Sequence, residues 1–238
     1  MVGVSQIPWS DFQISEFPVA LATGTIAFLL YWFISIAENL AVRRFGKEGL
    51  RNFNFVVFTK IVGFLAFTLA CLLCAYCFPN TLGFTIYLSD GNLVQTLYWI
   101  VGMGLPLLLA AWFSAANPAV RAKYPEARLE HWSVSNTLVF AAAWLFYLFG
   151  YELLFRGLWF LGMVPILGFW SAIFLNIALY SITHIPKGAD EALAAIPVGF
   201  LLCLATYTTG SVWAAICIHT IMAWAGNYFA YNRVSDNA

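Results

Sequence analysis

Uninterrupted apolar stretches of bilayer length constrain this chain more than any other feature. Crossing a hydrocarbon layer of about 30 Å takes about 20 mostly apolar residues in a helix. Such stretches occur at 17–37, 56–78, 93–116, 134–163, 168–185, 192–209 and 212–229. Backbone in lipid must satisfy its own hydrogen bonds, so repeated spans of this length predict helices. The expected fold is all-α, a polytopic transmembrane helix bundle of seven to eight spans, the higher number applying if 134–163 breaks. Composition agrees: 62% of residues are hydrophobic and 9% charged, with mean hydropathy +0.82. Soluble domains carry about 25% charged residues, so that class is excluded. An aromatic content of 18% excludes disorder. Eleven basic and eleven acidic residues give zero net charge, which offers no footprint for a nucleic acid.

The few charges set orientation. Arg43, Arg44, Lys47 and Arg51 fall in the first loop, and Arg121, Lys123 and Arg128 in the third. Residues 79–92 between them hold one acid, Asp90, and no base; the N-terminal stretch holds only Asp11 and Glu16. The positive-inside bias therefore puts the N-terminus outside, and Lys187 and Arg233 inside. No basic n-region precedes the first span, which reads as retained rather than cleaved. The setting is a multi-pass integral membrane protein, with a bacterial cytoplasmic membrane expected. The chain divides into N-terminal helices (1–133), core helices (134–231) and a short tail (232–238). Lys60, near the start of the second span, is expected to snorkel. Cys71, Cys74, Cys77, Cys203 and Cys217 lie in apolar stretches. The first three have C-x2-C-x2-C spacing but no fourth cysteine nearby, and are read as packing residues.

A charge at mid-bilayer costs about 2.5–3.5 kcal/mol on insertion scales, so intramembrane ionisable residues are functional candidates. Four stand out: Glu152, Arg156, His184 and His219. Glu152 and Arg156 are four residues apart and share a helix face, where they can pair and neutralise each other. Asn176, Tyr180 and His184 form a polar stripe on one face, the pattern of interhelical hydrogen bonding as well as of a site. His219 lies eight residues past Ser211, about 12 Å along its helix. His131, in a charged loop, is expected to be solvated. One carboxylate and two imidazoles on separate helices can activate water and stabilise an oxyanion. The same groups suit a proton relay or a zinc site.

The segment Gly150-Tyr151-Glu152-Leu153-Leu154-Phe155-Arg156-Gly157 resembles the first motif of the CAAX prenyl endopeptidase and bacteriocin-processing (CPBP, or Abi) membrane proteases, two glutamates, three residues and an arginine. Tyr180 and His184 resemble the second motif, an aromatic residue four before a histidine. His219, preceded by Thr209-Gly210-Ser211-Val212-Trp213, resembles the third. The resemblance spans residues 134–225. It implies a glutamic-type intramembrane endopeptidase in which glutamate and the second-motif histidine hold and deprotonate water. The third-motif histidine, with an asparagine four residues on, would stabilise the oxyanion, and the arginine would orient the glutamates.

Two positions depart from the pattern. The first glutamate is Tyr151 here, and the third-motif asparagine falls at Ala223. Asn227 and Asn176 are the amides placed to substitute for that asparagine. One branch of the family carries the aromatic-Glu variant, with a later Lys and Glu matched by Lys187 and Glu191. For Glu152 to meet His184, the chain is expected to bend back within 157–167, where Gly157, Gly162 and Pro165 permit it.

Three readings follow. The first is an endopeptidase acting on a peptide or protein substrate, metal-free as the resemblance implies, with zinc the other option. The second is a catalytically silent relative serving as a membrane scaffold or immunity protein. The third is a small transporter using Glu152, Arg156 and the histidines as a proton path.

Overall fold

In the computed structural model of the chain, the described residues are 17–45, 52–77, 90–129 and 131–235, and every regular element among them is helical. Long helices are α1 (Phe17–Phe45), α2 (Phe53–Cys77), α3 (Asp90–Ser114), α5 (Val134–Glu152), α7 (Phe169–His184), α8 (Ala189–Thr209) and α9 (Trp213–Ser235). Short helices α4 (Pro118–Lys123) and α6 (Val164–Leu167) lie between them. Arg43, Arg44, Lys47, Arg51 and most of loop 79–92 lie outside the residues, or the side chains, that are described.

Among the described residues, five helical segments are long and apolar enough to cross a membrane: Phe53–Cys77, Asn92–Ser114, Val134–Leu167, Phe169–Lys187 and Ala189–Thr209. Helix α1 adds a shorter apolar stretch, Leu21–Ile34. On α3, Leu97, Val101, Leu105 and Leu109 form an exposed stripe at four-residue spacing. In water that stripe would be a liability; in lipid it costs nothing. His131 is exposed, as its loop position predicts. All five cysteines are free thiols, Cys71 and Cys74 being buried between helices.

The fourth apolar run does not break. After α5 it continues as a nine-residue π-helix, Leu153–Leu161, every residue of which is buried. The i→i+5 pattern carries on into Gly162, whose N–H donates to the Gly157 carbonyl at 3.1 Å. The bend expected across 157–167 lies instead at Gly168, where φ is +75° and ψ 161°. An L-residue rarely adopts that conformation, so glycine permits the reversal. Helix α7 then returns antiparallel along the π-helix. The register is visible in three cross-links: the Phe160 and Phe169 rings 6.3 Å apart, the Asn176 amide donating to the Phe155 carbonyl at 2.7 Å, and the Tyr151 and Thr183 hydroxyls 2.9 Å apart. Glu152 lies sixteen residues before Gly168 and His184 sixteen after it. Equal arms bring them to the same level without an internal bend.

Helix α8 packs closely on α7. A Cβ at Gly199 would stand 2.8 Å from Tyr180 Cδ1, so only glycine lets the aromatic ring lie flat against α8. Cys203 donates its S–H to Asn176 Oδ1 at 3.2 Å, and Trp99 of α3 donates to Thr208 Oγ1 at 2.8 Å. Helix α2 packs along α5, and α9 fits between α3 and α5.

Candidate functional site

Glu152 occupies the junction where α5 becomes the π-helix, and both it and Arg156 are wholly buried at 0% exposure. Four-residue spacing brings Arg156 Nη1 to 3.1 Å from Glu152 Oε2, as the helix face predicts. From α9, His219 Nδ1 reaches Glu152 Oε1 at 2.5 Å. A carboxylate, an imidazole and a guanidinium from two helices thus form one cluster. Glu152 Oε2 and Arg156 Nε and Nη2 have no hydrogen-bond partner of good geometry among the described residues. Glu152 Oε2 is held by the Arg156 ion pair alone, and buried polar atoms are almost always hydrogen-bonded, so Arg156 Nε and Nη2 beside it mark a place suited to receiving polar groups.

Tyr180 is the hub of this cluster. Its ring lies 4.6 Å from the His184 ring and 5.9 Å from that of His219, and Arg156 Cζ sits 4.3 Å over its face. Stacking of a guanidinium on an aromatic face offsets part of the cost of burying Arg156. His184 joins the site across Tyr180 and not through a direct bond to Glu152. Its Nδ1 is 2.8 Å from the Tyr180 carbonyl and 3.0 Å from Thr183 Oγ1. A carbonyl can only accept, so this contact suits a protonated Nδ1, which would leave Nε2 its lone pair.

Tyr151 is buried and stacks on Phe155 at 4.3 Å. Its ring meets His219 edge-on at 5.7 Å. The two amides placed to replace the missing asparagine are committed elsewhere. Asn176 holds the Phe155 carbonyl and the Cys203 thiol. Asn227 donates to the Ala223 carbonyl and accepts from the Glu126 N–H at 2.8 Å.

A second polar cluster adjoins the C-terminal end of α7, and sequence reasoning did not find it. Glu126, in the loop after α4, stands 2.9 Å from both Lys60 Nζ and Lys187 Nζ. Lys60 therefore does not snorkel: it is 6% exposed, with Nζ 3.7 Å over the Trp144 ring. Burial pushes the Glu126 carboxyl up, but Lys187 and Lys60 outweigh it and hold the group down at about 2. Alongside, Tyr124 donates to Glu191 Oε2 at 3.0 Å, and burial pushes its hydroxyl upward. The unpaired look of Lys60, Glu126 and Lys187 in sequence, 61 to 66 residues apart, hid their convergence.

Among the described residues no group of three or more His, Cys, Asp or Glu side chains is arranged to hold a metal ion. The site is thus a buried carboxylate–imidazole–guanidinium cluster with a second imidazole beside it, set in an all-helical membrane bundle. Residues 133–225, which contain every member of that cluster, match the family described as Type II CAAX prenyl endopeptidase Rce1-like. No curated protein and no solved structure matches the chain. The match supports a hydrolase of the CAAX-protease type at the level of family, and with it a peptide or protein substrate.

Proposed function

We propose that the protein is an intramembrane endopeptidase of the CAAX-protease type that cleaves a peptide bond with water activated by Glu152 and His184. The observation that carries this reading is the buried contact of Glu152 with both His219 and Arg156, next to an imidazole with a free Nε2. His184 Nε2 takes a proton from the attacking water, which Glu152 helps to hold, and returns it to the leaving amine nitrogen as the peptide C–N bond breaks. His219, its Nδ1 turned to the Glu152 carboxylate, presents Nε2 to the scissile carbonyl; as an imidazolium backed by that carboxylate, it would donate to the oxyanion. Arg156 supplies the opposite charge to the Glu152 carboxylate at 3.1 Å and fixes its orientation. The same fixed charge repels a divalent cation at Glu152, which favours metal-free chemistry. Ala223 leaves the oxyanion with one fewer donor than the family pattern, a loss that costs about 10²–10³ in rate elsewhere.

Purified protein in proteoliposomes, given an internally quenched peptide ending in a prenylated CAAX sequence, tests the proposal. Cleavage should fall at least 100-fold in both Glu152→Gln and His184→Ala, with thermal melting used to show that each variant is folded. Cleavage unchanged in both folded variants refutes it. A scaffold or immunity role is favoured by a different observation, the loss of two motif positions at Tyr151 and Ala223. It requires that Glu152→Gln leave the biological activity intact.

A further inference from the structure

The hydroxyl of Thr183 has three polar neighbours and only one proton. Tyr180 O lies at 2.7 Å, Tyr151 Oη at 2.9 Å and His184 Nδ1 at 3.0 Å. The carbonyl can only accept, so the Thr183 proton goes to it. Two lone pairs remain on Thr183 Oγ1, facing the Tyr151 hydroxyl and the His184 ring nitrogen, and both neighbours must therefore donate. Every group is then satisfied in a single pattern: Tyr151 to Thr183, Thr183 to the Tyr180 carbonyl, and His184 Nδ1–H shared between Thr183 and that carbonyl.

The reverse tautomer fails in this setting. An unprotonated Nδ1 at 2.8 Å from the Tyr180 carbonyl would set two lone pairs against each other. Thr183 could donate to it only by giving up its own bond to that carbonyl, and Tyr151 opposes this by occupying the lone pair that a rotated hydroxyl would have to re-aim. Tyr151 is itself held on all sides, stacked on Phe155 at 4.3 Å, edge-on to Phe67 at 5.9 Å and to Tyr180 at 6.1 Å. Its hydroxyl has little freedom to leave Thr183.

We propose that Tyr151 is a positioning residue which, through the Thr183 hydroxyl, locks His184 as the Nδ1–H tautomer with Nε2 as the basic nitrogen. A hydroxyl relay thus stands in the place of a carboxylate, and the proton-accepting duty lies with His184. This inference rests on the proposed peptidase chemistry only for its catalytic consequence; the tautomer itself is a property of the folded protein.

The chain has three histidines, so ¹⁵N-histidine NMR of the full protein in micelles is tractable, with His131→Ala and His219→Gln to assign signals. The unaltered protein should show His184 as Nδ1–H. Thr183→Val and Tyr151→Phe should each give a mixed or exchanging tautomer, and Thr183→Ser, which keeps the hydroxyl, should restore the original signal. In the cleavage assay, Tyr151→Phe should lower kcat about fivefold to tenfold with KM unchanged, the scale of one lost hydrogen bond. An Nε2–H signal in the unaltered protein overturns the inference, as does a His184 signal unmoved by both Thr183→Val and Tyr151→Phe. Should the tautomer respond as stated while no peptide is cleaved, the relay stands and the peptidase reading falls.

Discussion

Replacing Glu126 by glutamine separates the role of the Lys60–Glu126–Lys187 bridge from that of the buried site. Glu126 is held down from 4.5 to about 2 by Lys187 and Lys60 against the opposing effect of burial. One pH unit of displacement is worth about 1.4 kcal/mol, so the lowered value corresponds to about 3 kcal/mol of stabilisation. The carboxylate is 20% exposed and Lys187 39%, so solvent screens the pair and 2–3 kcal/mol is the expected loss, roughly 4–12 °C in Tm. The sign follows from the depressed value. The stabilisation is fully present above pH 4.5, where the unfolded chain is also ionised, and fades as pH falls toward about 2. Thermal unfolding in detergent at pH 7, 5 and 3 should therefore show a wide gap between Glu126→Gln and the unaltered protein at the first two, narrowing at the third. Equal melting temperatures at pH 7, or a gap that widens on acidification, would refute the reasoning.

Gly199→Val should displace the Tyr180 ring, because even the first added carbon would lie 2.8 Å from Cδ1. Overpacking of this kind costs about 1–3 kcal/mol; a lower melting temperature together with at least a tenfold loss of cleavage is expected, with Gly199→Ala affected less. Treatment with a chelator should leave cleavage unchanged, since the Arg156 guanidinium occupies the flank of Glu152 that a metal would need; loss of activity restored by added Zn²⁺ would contradict that.

Apolar run length was enough to read the helical class, because lipid leaves the backbone few choices. It also isolated Glu152, Arg156, His184 and His219, since a charge within a span is conspicuous against Leu and Phe. Long-range pairing was less legible. Nothing local in Lys60 distinguishes a snorkelling side chain from one laid on Trp144 and bonded to Glu126. Asn176 and Asn227 were visible as spare amides, but their partners, two carbonyls, a thiol and a backbone N–H, carry no sequence signature. The reversal was misplaced because three helix-weakening residues, Gly157, Gly162 and Pro165, precede the glycine that turns. A π-helix absorbs the first of them, and Pro165 sits in the first turn of α6, where a missing N–H costs nothing.

The hairpin about Gly168 has two arms of sixteen residues, and this imposes a rule on how such a chain can vary over generations. Inserting one residue in an α-helical part of either arm would slide its end by about 1.5 Å and rotate it by about 100°, which would carry Glu152 or His184 out of register. Loops elsewhere, apart from the one that carries Glu126 to Lys60 and Lys187, are free of this constraint. Between these two residues, a surviving insertion must fall at the turn itself or be matched by a second on the opposite arm. Homologues that keep the pair in register should therefore show fixed spacing from each residue to the turn, whatever happens to the side chains between.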